Sequence, residues 1–361
     1  MTKQTTFQTT FPPELGKLPS LPRAQLFSGQ TSIHALPNLA KNCGSNCNLL
    51  VKRDDCTELA FGGNKVRQLE FYLGEAVAQK ADTILITGAV QSNFVRLAAA
   101  GAGKLGMACH IQLEERVAKD SQAYHTSGNV LLDNLLGATL HSYPEGEDEA
   151  GADRQLGVIA DELRAKGQRP YIIPLSPGHP PKGALGYVVA AHEMLQQIKE
   201  QGLTVDEVVV ASGSGTTHSG LLFGLRALGS SIKVTGICVR RDAASQRPRL
   251  AQKCLDIADL LDIQSNVTDD DIVLNDDFLA PGYGMASKEC MQAILMGART
   301  EGLMLDPTYT GKSMAGFIHR AKTAPNKSNL LYFHTGGLPE IFAYQDDLTE
   351  AINAAKTEAK A

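Results

Sequence analysis

The residue of this chain best suited to covalent chemistry is a lysine that follows two glycines and an asparagine, in the stretch Phe61–Glu70. Glycines let the backbone approach a ligand closely, and the start of the helix predicted to follow favours a phosphate or a carboxylate. A buried lysine readily loses its proton and condenses with an aldehyde. Lys65 is therefore a candidate Schiff-base amine; the alternative is a solvated lysine in a helix-capping loop.

A second segment, Ala211–Gly220, has the composition of an anion cradle. It reads Ala-Ser-Gly-Ser-Gly-Thr-Thr-His-Ser-Gly, follows a predicted strand and opens a predicted helix. Glycines expose backbone N–H groups, and the hydroxyls add donors. The segment lacks the lysine of a Walker A loop, and His218 stands where a dinucleotide fingerprint has its third glycine. It therefore favours a single small phosphate over a nucleotide, with a simple capping loop as the alternative.

A third helix start lies in Gly88–Asn93, where Ser92 is a plausible N-cap. It could also hold a substrate carboxylate, with Asn93 reaching a cofactor oxygen. Tyr283, between two glycines, and Tyr309 are weak acids that could donate protons once positioned, although most tyrosines only pack. Thr335, after the last predicted strand, could offer a neutral hydroxyl to a ring nitrogen.

Alternating strands and helices are predicted to position these residues, which indicates an α/β fold with parallel, doubly wound sheets. In such sheets ligands bind beyond the carboxyl ends of the strands, where every motif above lies. A helix is predicted from the apolar face of Val66, Leu69, Leu73, Ala76 and Val77. The other predicted helices are 92–105, 128–136, 152–165, 183–199 and 217–228. The predicted strands are 83–87, 108–113, 139–143, 171–175, 207–211, 234–239 and 330–333.

Composition excludes several classes of protein. The 361 residues carry a net charge of -5, which offers no basic surface for nucleic acid or an acidic membrane. No apolar stretch is long enough to span a bilayer, and residues 1–22 do not resemble a secretory signal. The seven cysteines suit reduced thiols in the cytoplasm. Cys43 and Cys47 have no second pair or histidine cluster beside them, so no metal is expected.

Six motifs occur in one order: GGNK, QSN, GSGTTHSG, GYG, DPTYTGKSMAG and HTGG. Together, from about Leu49 to Ile341, they resemble the fold type II pyridoxal-phosphate (PLP) enzymes of the D-cysteine desulfhydrase and 1-aminocyclopropane-1-carboxylate deaminase family. The resemblance implies two doubly wound open-sheet subdomains with the cofactor between them. It implies a large PLP-binding domain of residues 1–68 and 174–361, a smaller inserted domain of residues 69–173, and a homodimer.

The resemblance also implies residue roles. Lys65 would hold PLP and then remove the substrate α proton. The implied cofactor-binding residues are Lys65, Asn93, Ser212, Gly213, Gly215, Thr216, Thr217 and Thr335. The implied substrate-binding residues are Gln91, Ser92, Asn93, Tyr283 and Tyr309. The implied catalytic residues are Lys65, Ser92, Tyr283 and Tyr309.

The implied reaction is a β-elimination, because a neutral Thr335 opposite the ring nitrogen favours loss of a leaving group over transamination or racemisation. D-Cysteine is the leading substrate and L-cysteate the main rival; Arg240 and Arg241 are unplaced candidates for a sulfonate. Cyclopropane deamination ranks third, because Thr310 replaces the glutamate of those deaminases. Phe94 and Gln68 also depart from the common histidine and lysine. A non-catalytic PLP-binding protein is a further alternative, and a nucleotide-binding protein the weakest.

Overall fold

The structure, a computed structural model, describes residues 11–175 and 178–358. Within these ranges it contains two sheets. The strands of the smaller sheet lie in the sequence between β2 and β7, which both belong to the larger sheet. The strands are β1 (Ile33–Ala35), β2 (Asn48–Arg53), β3 (Thr83–Ala89), β4 (Ala108–Glu114), β5 (Thr139–Tyr143), β6 (Pro170–Ile173), β7 (Glu207–Ser212), β8 (Lys233–Cys238), β9 (Val273–Asn275) and β10 (Asn329–His334).

Twelve α-helices accompany the strands in the described part of the chain. They are α1 (Pro37–Cys43), α2 (Lys65–Ala78), α3 (Asn93–Lys104), α4 (Gln122–Thr126), α5 (Gly128–Leu135), α6 (Glu149–Ala165), α7 (Leu185–Glu200), α8 (Thr216–Ala227), α9 (Ala243–Leu261), α10 (Lys288–Glu301), α11 (Thr310–Thr323) and α12 (Gln345–Glu358). Short 3-10 turns include Asp54–Cys56, Lys182–Ala184 and Leu338–Tyr344.

The larger sheet has the strand order β1-β2-β10-β7-β8-β9. Only β1 is antiparallel to its neighbour; the other strands run parallel. Apolar side chains of α1, α10 and α11 pack on one face, and those of α7, α8 and α9 on the other. Both faces are thus covered, which explains why Val208–Val210 form a continuous buried apolar run.

The smaller sheet is fully parallel, with the order β5-β4-β3-β6, and is built from residues 83–173. Helices α2 and α3 cover one face, and α6 covers the other. Two open, doubly wound parallel sheets confirm the predicted α/β fold class.

The predicted elements are present, with shifts at their ends. Strand β7 continues through Ser212, one residue beyond its predicted end, and α6 starts at Glu149 instead of residue 152. Val77 was wrongly assigned to the buried face of α2: it is 51% exposed, whereas the other four apolar residues of that face are buried. No elements were predicted for residues 23–58 or 243–323, where the structure has β1, α1, β2, α9, β9, α10 and α11.

A buried ionic network anchors helix α2. Arg67 donates to both carboxylate oxygens of Asp54 at 2.8 and 3.0 Å, and to both of Glu193 at 2.8 and 3.0 Å. Lys52 also contacts Glu193, and all four side chains are almost fully buried. Two cations and two carboxylates balance one another, so α2 is fixed to β2 and α7 just beyond Lys65.

The remaining predictions concern cysteines, metals and membranes. Cys43 and Cys47 are buried, and each of the seven cysteines is a free thiol. Within residues 11–175 and 178–358, no cluster of three or more histidine, cysteine or acidic side chains could hold a metal ion. None of the described helices is long and apolar enough to cross a membrane.

Candidate active site

A cavity opens beyond the carboxyl ends of β3, β7 and β10, and residues of both sheets line it. This is the position expected for a ligand of a doubly wound sheet. Ten of the predicted site residues line the cavity: Lys65, Ser92, Asn93, Gly213, Gly215, Thr216, Thr217, Tyr283, Tyr309 and Thr335. Residues separated by up to 270 positions in the sequence therefore meet at one place.

Lys65 is the first residue of α2, and its half-buried amine faces the cavity. The amine lies 4.9 Å from the ring centroid of Phe94 and 3.4 Å from the side-chain oxygen of Gln68. Burial and, to a lesser degree, the positive charge of Lys253 together lower the pKa of Lys65 from 10.5 to about 8. An amine in this setting is a far better nucleophile at neutral pH than an exposed lysine.

The predicted anion cradle is the start of α8. Gly215 is the N-cap residue and has φ +83°, which favours glycine. A Cβ there would also lie 2.9 Å from Leu250 and 3.3 Å from Gln246. The backbone N–H groups that follow, together with the hydroxyls of Ser214 and Thr216, are open to the cavity. The cradle suits a phosphate, because these donors and the helix dipole favour negative charge.

The Thr217 hydroxyl connects the cradle to the lysine helix. Its oxygen accepts hydrogen bonds from Asn64 (2.8 Å) and Gln68 (2.9 Å). The amide of Gln68 thus lies between the Lys65 amine and the cradle. The helix starts that would hold the phosphate and the covalent amine are therefore fixed in relation to each other.

Helix α3 starts at the floor of the cavity. Ser92 is its N-cap: its hydroxyl accepts from the Phe94 amide at 3.2 Å. The Gln91 side chain turns away, donating to the carbonyls of Tyr124 and Ser127 and accepting from the Asn129 amide at 2.9 Å. Gln91 therefore lies behind the cavity wall, where it supports the α3 start.

The two tyrosines meet on the opposite wall. The hydroxyls of Tyr283 and Tyr309 are hydrogen-bonded to each other, and their rings pack edge to face at 5.8 Å. Burial raises the pKa of both phenols, so both are protonated at neutral pH. The Arg240 guanidinium lies 5.7 Å from the centroid of the Tyr283 ring. The pair is a potential proton donor to a leaving group.

Thr335 closes the cavity from the end of β10. Its carbonyl accepts from the Asn64 amide at 3.0 Å, next to a close contact between Gly63 and Gly336. A Cβ on Gly336 would lie 2.7 Å from the Gly63 Cα, which fixes glycine at that position. The Thr335 side chain remains available to the cavity.

Two other residues named in the sequence analysis lie behind the surface. The Ser212 hydroxyl is buried and contacts His218 at 3.2 Å and Gln246 at 3.1 Å. Thr310 is buried against Asp306, to which its hydroxyl donates at 2.5 Å. Both side chains support the loops that carry the cavity residues.

Several cavity residues were not predicted, and four of them are charged or polar side chains close to the predicted ones: Asn64, Arg116, Lys253 and Asp306. Asn64 and Asp306 belong to the quoted motifs GGNK and DPTYTGKSMAG, so their motifs were the available signal. Arg116 lies two residues after β4, at the carboxyl edge of the smaller sheet. Lys253 lies within α9, where nothing in the sequence distinguishes it from a surface lysine.

A cluster of arginines adjoins the cavity. Glu149, the first residue of α6, contacts Arg240 at 3.1 Å, Arg241 at 2.5 Å and Arg249 at 3.5 Å. Among the described residues, Nε of Arg240 and Nη1 of Arg241 are buried without a hydrogen-bond partner. Glu147 also lies 3.5 Å from Arg240. Two carboxylates thus serve three guanidinium groups, and positive charge is left over at this edge of the cavity.

Relatives identify the fold and the cofactor of this arrangement. The profile of the family described as pyridoxal-phosphate dependent enzyme matches residues 24–336. A D-cysteine desulfhydrase of Klebsiella pneumoniae subsp. pneumoniae is 40% identical over 336 residues, which cover 92% of this chain and 99% of the relative. A D-cysteine desulfhydrase of Salmonella typhi is also 40% identical, over 332 residues that cover 91% and 98%.

Solved structures of similar proteins show the same fold. One titled as an ACC deaminase homologue has a TM-score of 0.83 and 34% identity, covering 94% of this chain and 100% of its own. An O-ureido-L-serine synthase, 17% identical with a TM-score of 0.62, shares the fold. A half-buried amine of lowered pKa near an anion cradle fits an aldehyde that carries a phosphate. The chain belongs to the pyridoxal-phosphate-dependent enzyme family.

Proposed function

We propose that this enzyme catalyses β-elimination from a small amino acid, and that D-cysteine is its substrate. The proposal depends on one observation: the Lys65 amine, the helix starts at Ser92 and Gly215, and the tyrosine pair all face the same cavity. The near full-length similarity to D-cysteine desulfhydrases supports the substrate.

In this reaction the Cα–H and Cβ–S bonds break and a C=C bond forms. Sulfide leaves, and water converts the enamine product into pyruvate and ammonia. PLP, when bound, withdraws electrons from the substrate Cα. Lys65 takes the α proton, and the start of α3 at Ser92 holds the carboxylate. A phenol of the Tyr283–Tyr309 pair protonates the departing sulfur.

The remaining proposed contacts belong to the cofactor. The cradle residues Gly213, Gly215, Thr216 and Thr217 bind the phosphate, with Ser212 supporting them from behind. Asn93 would hold the ring hydroxyl, and Thr335 would lie opposite the ring nitrogen. Gln91 positions the α3 start through its bonds to backbone. Thr335→Asp is expected to divert part of the flux from elimination to transamination or racemisation, and an unchanged product ratio would exclude this role for the hydroxyl.

A second candidate substrate is L-cysteate, which releases sulfite. Arg116 and Arg240 line the cavity, and Arg240 lies over Tyr283, where a sulfonate would be recognised. Cyclopropane deamination has less support, because Thr310 is a neutral side chain buried on Asp306. Non-catalytic cofactor binding is the remaining alternative.

The test is pyruvate release by the PLP-loaded enzyme with D-cysteine, L-cysteine and L-cysteate in parallel. Pyruvate and sulfide from D-cysteine alone are expected. If the enzyme instead releases pyruvate and sulfite from L-cysteate, then L-cysteate is the substrate. In that case Arg240→Gln should lower the rate with L-cysteate roughly tenfold or more. No product from any of them, despite the visible absorbance of bound PLP, would favour the non-catalytic reading.

Domain division, oligomeric state and compartment complete the proposal. We propose a large domain of residues 1–68 and 174–361 and a small one of residues 69–173, because the four-stranded sheet lies within the latter.

The free cysteines suit the cytoplasm. Exposed Leu131 and Leu135 on α5 make this surface the proposed homodimer contact. Leu135→Glu should lower the mass measured by light scattering.

A further inference from the structure

The phosphate cradle contains no cation among the residues that form it. Its donors are backbone N–H groups and the hydroxyls of Ser214, Thr216 and Thr217. Gln68, which donates to Thr217 from the opposite side, is neutral. A phosphate monoester carries a charge of about -1.5 to -2 at pH 7. The dipole of α8 offsets only about half a unit of that charge.

Lys253 lies beside this cradle. It lines the same cavity as Ser214, Gly215 and Thr216. Leu250, one turn earlier on α9, would be in contact with a Cβ on Gly215 at 2.9 Å. Residues three apart lie on the same face of a helix. The face of α9 that packs against the cradle therefore also carries the Lys253 side chain towards it.

The charge of Lys253 is poorly compensated. Among the described residues it makes no ion pair within 4.0 Å, whereas the neighbouring arginines share Glu149. Burial lowers the pKa of Lys253, Arg249 and Arg241 act in the same direction, and the more distant carboxylates of Asp256 and Glu149 oppose this only in part. Its charge also reaches Lys65, whose pKa it lowers. A half-buried ammonium without a close carboxylate is stabilised when an anion arrives.

We propose that Lys253 supplies the positive charge of the phosphate site, because the side chains at the start of α2 that contact the cradle, Asn64 and Gln68, are neutral amides. The lysine thus acts on the cofactor phosphate and not on the substrate. The inference depends on the proposed cradle but not on the proposed reaction, so an enzyme that fails to eliminate D-cysteine leaves it intact.

The test compares PLP with pyridoxal, which lacks the phosphate, in equilibrium titrations of the cofactor-free enzyme followed by absorbance. Lys253→Met should weaken PLP binding roughly 10- to 100-fold, the range of a lost hydrogen bond to a charged group. Pyridoxal binding should weaken far less, because pyridoxal loses only the effect of Lys253 on the Lys65 pKa. Lys199→Met, which removes an exposed lysine at the end of α7, is the matched control and should alter neither titration.

A charge-exchange variant makes the test independent of folding defects. Gln68→Lys introduced into Lys253→Met should recover most of the PLP affinity, because position 68 faces the cradle across Thr217. Unchanged PLP affinity in Lys253→Met, or an equal loss for PLP and pyridoxal, would overturn the proposal. So would a double variant that recovers no PLP affinity.

Discussion

The lowered pKa of Lys65 can be measured in the cofactor-free enzyme. Its value of about 8, against an ordinary 10.5, arises first from burial and then from the charge of Lys253. At pH 7 about a tenth of a population with pKa 8 is neutral, compared with about 0.03% at pKa 10.5. The amine should therefore be roughly 300 times more available at pH 7 than that of an ordinary lysine.

Trace labelling with acetic anhydride measures this directly, because only neutral amines react. The Lys65 peptide should be labelled in a pH-dependent manner with a midpoint near 8. Exposed Lys199 in the same digest is the internal control for the extent of labelling. Since a positive neighbour disfavours a second cation, Lys253→Met should move the Lys65 midpoint upward. A Lys65 midpoint near the ordinary lysine value of about 10.4 would refute the claim that burial activates the amine.

Three further predictions concern stability. Gly215→Ala should lower the free energy of unfolding by about 1–2 kcal/mol because of the left-handed backbone at this position. It should lose about 1–3 kcal/mol more because the new Cβ would lie 2.9 Å from Leu250. Gly229→Ala is the control: Gly229 has φ +73° and free space around it, so this variant should show the backbone cost alone in urea unfolding. Arg67→Met should lower the free energy of unfolding by about 3–5 kcal/mol, because it leaves Asp54 and Glu193 under-compensated; a loss below about 1 kcal/mol would contradict this account. Burial alone would raise the pKa values of the Asp54 and Glu193 carboxyls, but Arg67 lowers both pKa values overall. The stability that the two carboxylates contribute is therefore present above about pH 4 and is lost as the pH falls through their folded pKa values. Arg67→Met should weaken that pH dependence of the urea midpoint.

The sequence predicted the parts of the fold that carry regular patterns. Strands β3 and β7 are continuous apolar runs between helices, so their burial in a parallel sheet followed from local composition. The order of strands in the larger sheet did not follow. It places β10 beside β2, and such long-range pairing leaves no local pattern.

The site was predictable where glycine or a helix start marks it. Lys65 and Gly215 are signalled by their loops, and both reach the cavity. Gln91 was less predictable, because its amide is used by backbone groups that only the fold brings near. Lys253 was not predictable, because an isolated lysine on an amphipathic helix is normally solvated, and only the packing of α9 turns it inward.

The position of β10 has a consequence for synthesis of the protein on the ribosome. Among the described strands it is the last to be made, yet it lies between β2 and β7 and pairs with both. Until residues 329–334 leave the exit tunnel, β1 and β2 cannot join the strands β7–β9. The loop before Lys65 also lacks the backbone of Thr335 and Gly336 against which it rests. The nascent chain therefore cannot complete its cofactor site while it grows, and capture of PLP is a late event that follows release of the C-terminal segment.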